Sequence, residues 1–376
     1  MNNQDWNFDK IPDSEGEVDT KTNLLARAYE LNFNADDIPP PEESCIYLGD
    51  EHPIAARGNL TGIQGKQKAG KSAVVSALLG SVIRGNYVGE GDLFKFNWKG
   101  AASGAVIHFD TEQSPSDWHA LVRRSIGRSG MNGTGERLVS IPAVTFTRGE
   151  RLAILEGVLE REAQRLGKVD TVLVDGIADL CKSPNDEVES LELISKIHSL
   201  SHTYDCPILS VLHENPSSLE GKTRGHLGSE LARKAFANLR IDKDPDTLIS
   251  TIYGTDMRKR DLPKNQGFCF GWCDEVNMHT FKGREAGVKA AKRDAHKTAK
   301  EREYFEPIFD SNGTNGACPV LSVDSAFEVI RDKNGTGNAP QKDTLKKRMQ
   351  RAEELGVLRK VERGGWRLNP NGTNGT

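Results

Sequence analysis

The chain has 376 residues, 50 Lys and Arg against 54 Asp and Glu, and is 36% hydrophobic and 28% charged. That length allows two or three domains, and a net charge of −4 excludes a surface built throughout for polyanions, leaving only local basic patches. No apolar run approaches the roughly 18 residues that cross a bilayer, and the polar start "MNNQDWNFDK" lacks the apolar stretch of a secretion signal, so a cytoplasmic protein with no membrane partner is expected.

Residues 1–44 are polar and acidic, end near "DIPPPEES", and read as an arm without a core of its own. From 45 to 282, apolar strands alternate with amphipathic helices. "NLTGIQG" is a strand entering a Gly-rich loop, 72–84 a helix and "GAVIHFDTE" a strand. Helices follow at 116–128 and 149–166, the second with Leu152, Leu155, Leu159 and Leu166 at helical spacing. "DTVLVDG" is a buried strand, 186–203 a helix and "CPILSVLHEN" a strand. Continuous apolar strands separated by helices require a parallel sheet covered on both faces. Three further strands, "AFANLRI", "LISTIYGT" and "GFCFGWC", lack helices between them and imply an antiparallel extension. In the last of these, Cys269 and Cys273 are either half a metal site with His279 or alternate residues of one strand face. No second ligand pair stands at zinc-like spacing, so the strand is expected.

Residues 283–304 read as a basic linker helix, 305–369 as a small separate domain and 370–376 as a tail. Within the small domain two helices precede a hairpin turning at Gly364-Gly365, the order of a winged helix-turn-helix. Residues 340–368 hold nine basic and four acidic side chains, an excess that suits a nucleic-acid patch. Lys346, Lys347 and Arg351 are its candidate contacts to duplex DNA, and a protein-docking module is the alternative.

The most specific stretch is "GIQGKQKAGKSAVVSALLG", Gly62–Gly80. Gly65, Lys66, Gln67, Lys68, Ala69, Gly70, Lys71 and Ser72 complete a P-loop pattern between a strand and a helix, and Ala73 follows inside the helix. Glycines let backbone N–H groups turn toward phosphates, and the helix N-terminus adds its dipole. Lys71 brings a charge to the β- and γ-phosphates and Ser72 a hydroxyl for Mg²⁺, so ATP and Mg²⁺ are the expected ligands. Lys66 and Lys68 either add charge or form a solvated loop face. Asp175, closing "TVLVD", is the expected second Mg²⁺ ligand. Asp110 and Glu112 close another strand, where a carboxylate can orient and deprotonate water. His213 and Glu214 end a third, and His213 is either a γ-phosphate sensor or a satisfied core histidine.

With these pieces in order, residues 45–282 resemble the RecA-like ATPases, and among them the RepA- and DnaB-like hexameric helicases. The resemblance implies an α/β fold, a mostly parallel RecA-like sheet with helices on both faces, followed here by the small winged-helix domain. It implies Glu112 as catalytic base, Asp175 on Mg²⁺ and His213 on a sensor strand. "DMRKRDLP" looks like the segment through which one subunit reaches its neighbour's ATP, which aligns Arg258 and Arg260 as trans arginines, although Leu262 stands where the family usually has Gly. In such proteins the loop after the sensor strand faces DNA. Here residues 214–230 carry Lys222, Arg224 and His226 among glycines and serines, a composition suited to tracking single-stranded DNA. The expected protein is a DNA-dependent ATPase, a helicase of a plasmid or mobile element acting as a hexamer. An ATP-switched DNA-binding regulator or loader, and a RecA/RadA-like recombinase, are the alternatives.

Overall fold

A computed structural model describes residues 11–12, 18–19, 21–30, 32, 42–131, 133, 136–214, 225–310, 319–334, 340–361 and 364–369. The chain divides into two units, Met1–Glu43 and Ser44–Thr376. The first contains the short antiparallel pair β1 (Ile11–Pro12) and β2 (Val18–Asp19) and the helix α1 (Lys21–Glu30).

The second unit is built on a nine-stranded sheet. Beside it lies a small three-stranded sheet of β3 (Ser44–Leu48), β4 (His52–Ala56) and β6 (Phe96–Trp98), with β3 in the middle. The large sheet takes β5 (Leu60–Gly65), β7 (Ala105–Asp110), β8 (Leu138–Pro142), β9 (Val169–Asp175), β10 (Ile208–His213), β11 (Ala237–Lys243), β12 (Ser250–Met257), β13 (Phe268–Cys273) and β14 (Met278–Arg284). Its order is β14-β13-β12-β11-β5-β10-β9-β7-β8. The six strands from β11 to β8 run parallel, and β12, β13 and β14 add on as antiparallel neighbours. This is the mostly parallel α/β sheet with an antiparallel extension that the alternation of apolar strands and helices led one to expect.

The inner strands β7, β9 and β10 are buried along nearly their whole length because both faces are covered. The period of two then divides each strand between two cores. Val106, Leu173, Leu209 and Val211 join the core formed with α2 (Lys71–Arg84). Ile107, Phe109, Val172, Val174 and Ile208 join the opposite core with α4 (Arg148–Leu166) and α5 (Glu187–Thr203). The helix α3 (Pro115–Ser129) contributes Leu121 to the first core, and α6 (Gly225–Lys234) contributes Leu227 and Leu231 to the second. His226 therefore sits on a helix rather than in the loop read from composition, while Lys222 and Arg224 lie outside the described residues.

The basic helix α7 is longer than its polarity suggests, running Glu285–Asp310. Its last turns bury Phe305, Ile308 and Phe309 in a third core with Leu345, Met349, Trp366 and Leu368. The helix therefore runs on past residue 304 and carries its last turns into this core. It continues with α8 (Val323–Asn334), α9 (Lys342–Glu354) and the hairpin of β15 (Leu358–Val361) and β16 (Gly365–Leu368), to which Leu321 adds a bridge at Trp366. Helix, helix, hairpin is the order read from the sequence. Among the described residues no helix is long and apolar enough to cross a membrane. Cys269 is buried on β13, beside Thr251 and Glu285. Neither it nor Cys273 belongs to a group able to hold a metal among the described residues.

Candidate nucleotide site

The C-terminal ends of the parallel strands meet at one edge. Gly65 pairs with His213, Val211 with Asp175, and Asp175 with Asp110. That edge is where open α/β sheets bind ligands. Gly70 lies between β5 and α2 with φ of 101°, and a Cβ there would stand 2.7 Å from the Phe270 ring. Only glycine lets the loop close over β13 in that conformation. No side chain caps α2, whereas Ser114, Thr147 and Asp186 cap α3, α4 and α5. Lys71 and Ser72 open α2 at the cavity, where the dipole of the helix favours an anion.

A cavity of about 350 Å³ opens at this edge, lined by Gly70, Lys71, Ser72, Glu112, Asp175 and His213 among others. Lys71 is buried. Its Nζ donates to the carbonyl oxygens of Gly65 at 3.1 Å and Lys66 at 2.9 Å and lies 3.0 Å from His213 Nδ1. An ammonium only donates, so Nδ1 accepts and the ring proton belongs on Nε2. From there it donates to Glu112 Oε2 at 3.0 Å. His213 therefore joins the phosphate-gripping lysine to the strand-end glutamate, a link not legible from a histidine that merely ends a strand. Burial lowers the Lys71 ammonium, with Glu112, Asp175 and Glu214 pulling it back up. Burial raises the Glu112 carboxyl, but His213 and Lys71 outweigh it and hold the group below the ordinary carboxylate range.

Asp110 and Glu112 have different surroundings. Asp110 is 1% exposed. Its Oδ1 accepts from the backbone N–H groups of Glu112 and Gln113, and its Oδ2 from Gln113 Nε2. It shapes the turn and has little left for water. Glu112 projects from that turn into the cavity. Gly176 makes room for it, since a Cβ there would lie 2.7 Å from Glu112 Cγ. Thr111 ties the two strand ends together, its hydroxyl donating to the carbonyls of Asp175 and Gly176.

Burial, with Asp110 and Glu112 close by, pushes the Asp175 carboxyl up to about 8. The Lys71 ammonium alone does not offset that much negative charge. The hydroxyl of Ser72, exposed to the same cavity, completes an oxygen donor set of the kind a hard dication takes. Ser72 and Asp175 fit Mg²⁺ and would hold it there. Bound, it supplies charge compensation between these acids and the phosphate oxygens. Beneath them lies a residue the sequence reading passed over. His108 is fully buried, two positions before Asp110 and on the same face of β7. Its Nδ1 is 2.8 Å from Ser140 Oγ, its Nε2 has no hydrogen-bond partner among the described residues, and burial lowers it to about 4, so it stays neutral.

Residues 26–218, just over half of the chain, match the family described as the AAA domain. The chain belongs to that family. It is an ATP-binding P-loop ATPase, and the P-loop of its AAA domain is the stretch ending at Lys71 and Ser72. Among solved structures, a KaiC-like protein from the hyperthermophilic archaeon Pyrococcus horikoshii is similar over 65% of this chain and 100% of its own, at 12% identity and a TM-score of 0.44. No curated protein matches the sequence.

The fold brings Gly65, Gly70, Lys71, Ser72, Glu112, Asp175 and His213 to one edge. Lys66, Gln67 and Lys68 stand exposed in the loop, with Ala69 buried beneath them and Ala73 in the first turn of α2. Arg258 and Arg260 are not in this cavity. Arg258 donates to the Lys234 carbonyl at 2.9 Å, and Arg260 pairs with Glu51 at 3.0 Å. Lys346, Lys347 and Arg351 are exposed on α9. Arg348, counted with the basic patch in the sequence, turns inward to Glu301 and the face of Tyr304. Its spacing on α9 matches that of Leu345 and Met349, a signal that it belongs to the packed side.

Proposed function

We propose that this AAA-domain ATPase is a DNA-dependent motor of the hexameric helicase type, serving a plasmid or mobile element. Lys71 and the α2 N-terminus grip the phosphates. Glu112 takes a proton from the attacking water, and His213 links the γ-phosphate to β10. One observation carries the shared-site reading. Arg258 and Arg260 follow β12, whose last residue, Met257, pairs with Ala237, which itself pairs with Thr61 near the start of β5. That is the edge of the sheet opposite Gly65. Neither arginine lines the P-loop cavity of its own chain, which supports the reading that they act on a neighbour's. The pair of Arg260 with Glu51 is largely exposed, 59% on each side, so it contributes little and exchanges readily.

Arg260→Ala is expected to keep ATP affinity and lose most turnover. Lys71→Ala subunits keep their arginines, so mixing the two should restore part of the activity. No rescue, together with a monomer mass in ATP, removes the shared site, with Arg258→Ala as the check on which arginine acts.

The DNA reading rests on the exposed Lys346, Lys347 and Arg351, with Lys222 and Arg224 proposed for single strands. Because the third core includes the end of α7, deleting residues after 304 would cut a packed helix, and charge reversal is the cleaner test. Changing the three α9 residues to Glu should weaken duplex binding and flatten its log–log salt dependence by about 0.9 for each phosphate no longer neutralised. Turnover stimulated by single-stranded DNA should persist. If single strands leave wild-type turnover unchanged while duplex affinity varies with nucleotide, the regulator or loader reading replaces the motor.

A further inference from the structure

The cavity extends past the P-loop in the direction away from Glu112, and its far end is aromatic. Sheet order sets the polarity. His213, Asp175 and Glu112 stand on β10, β9 and the end of β7, on one side of β5. On the other side stand β11, β12 and the β13–β14 hairpin, whose Trp272, Met278 and His279 line the same cavity as Lys71 and Ser72. A nucleotide whose terminal phosphate faces Glu112 therefore has its base end at the hairpin.

We propose that Trp272, braced edge to face by His279, is a stacking platform for the nucleobase of the bound triphosphate, which rests on the phosphate-site reading above. Trp272 is 49% exposed, a large apolar surface left open in the cavity wall. It pairs across the hairpin with His279, the two rings edge to face at 5.4 Å. Its Nε1 donates to Asp274 Oδ1 at 2.9 Å, which fixes the indole by its edge. The hairpin is also fastened to the P-loop side of the molecule. Buried Arg128 donates to the His279 carbonyl at 2.7 Å and to Ser76 Oγ on α2 at 2.8 Å. The Phe281 N–H donates to Asp92. Phe270, on the same strand face as Trp272, stacks on Phe94 directly under Gly70. Platform and P-loop are thus held as one rigid wall, which lowers the ordering cost of binding. Burial, with Lys243, Arg128 and Arg124 nearby, lowers His279. Every base offers a π-face, so the platform confers affinity for a nucleoside triphosphate of either purine type.

The test measures binding of ATP, of GTP and of inorganic tripolyphosphate to the full chain and its variants. Trp272→Ala should weaken ATP and GTP by about tenfold or more and leave tripolyphosphate unchanged. Trp272→Phe should recover most of the loss. Intrinsic fluorescence should change on adding ATP to wild type, and Trp272→Phe should abolish that change. Unchanged ATP affinity in Trp272→Ala overturns the platform, as does an altered solution mass without altered affinity, which would assign Trp272 to a subunit contact. Failure of the phosphate site looks different: tripolyphosphate would then bind Lys71→Ala as tightly as wild type.

Discussion

Lys71→Ala is expected to abolish ATP hydrolysis and remove most ATP affinity. Nζ of Lys71, which donates to the Gly65 and Lys66 carbonyls, is the group expected to turn to the phosphates. It is also a positive neighbour of Glu112 and Asp175. Alanine therefore removes the charge on the ligand and leaves the acid cluster less compensated. Isothermal titration and steady-state turnover check this, with a melting curve to establish that the variant folds. Wild-type affinity and rate in a folded variant would overturn the assignment of Lys71 to the phosphates.

The second large effect is expected from Glu112→Gln, which should bind ATP normally and hydrolyse it about 10²–10⁴ times more slowly. The amide oxygen of Gln still accepts from His213 Nε2, so the side chain stays placed while its negative charge is lost. That isolates proton acceptance from geometry. Asp110→Asn is the control, because Asp110 is committed to the turn N–H groups and Gln113. Its expected effect is on stability of the turn and secondarily on rate. A crippled but well-folded Asp110→Asn beside a mild Glu112→Gln would transfer the base role to Asp110. Single-turnover kinetics with saturating ATP separates the chemical step from product release in both variants.

The elements of this chain differ in how far their conformation is decided locally. The P-loop is local: Gly65 to Ser72 are contiguous, and their conformation follows from glycine and from the helix they open. The parallel strands β5, β7, β9, β10 and β11 were legible for a similar reason, since burial on both faces leaves a mostly apolar run. The short strands β3, β4, β6 and β8 were not, because each is brief and its place depends on neighbours that the local pattern does not name. Helix α7 was misjudged in length because only its last turns are apolar, and what they pack against lies on α9 and β16.

Residue type and spacing by themselves determined the phosphate grip, the α/β sheet, the pair of acidic strand ends and the helix–helix–hairpin order of the C-terminal region. Tertiary structure decided the rest, because it depends on strand order and side-chain direction. Insertion of β10 between β5 and β9 brings His213 between Lys71 and Glu112. Hydrogen bonding within one turn separates Asp110 from Glu112, although they lie two residues apart. The antiparallel return of β12 carries Arg258 and Arg260 to the far edge, away from the P-loop of their own chain. The same antiparallel extension brings Trp272 and His279 back to the near edge, far along the chain from the P-loop they face. Strand order and chain direction through the sheet, which no local pattern encodes, are the physical reason for the placing of His213, the two arginines and Trp272.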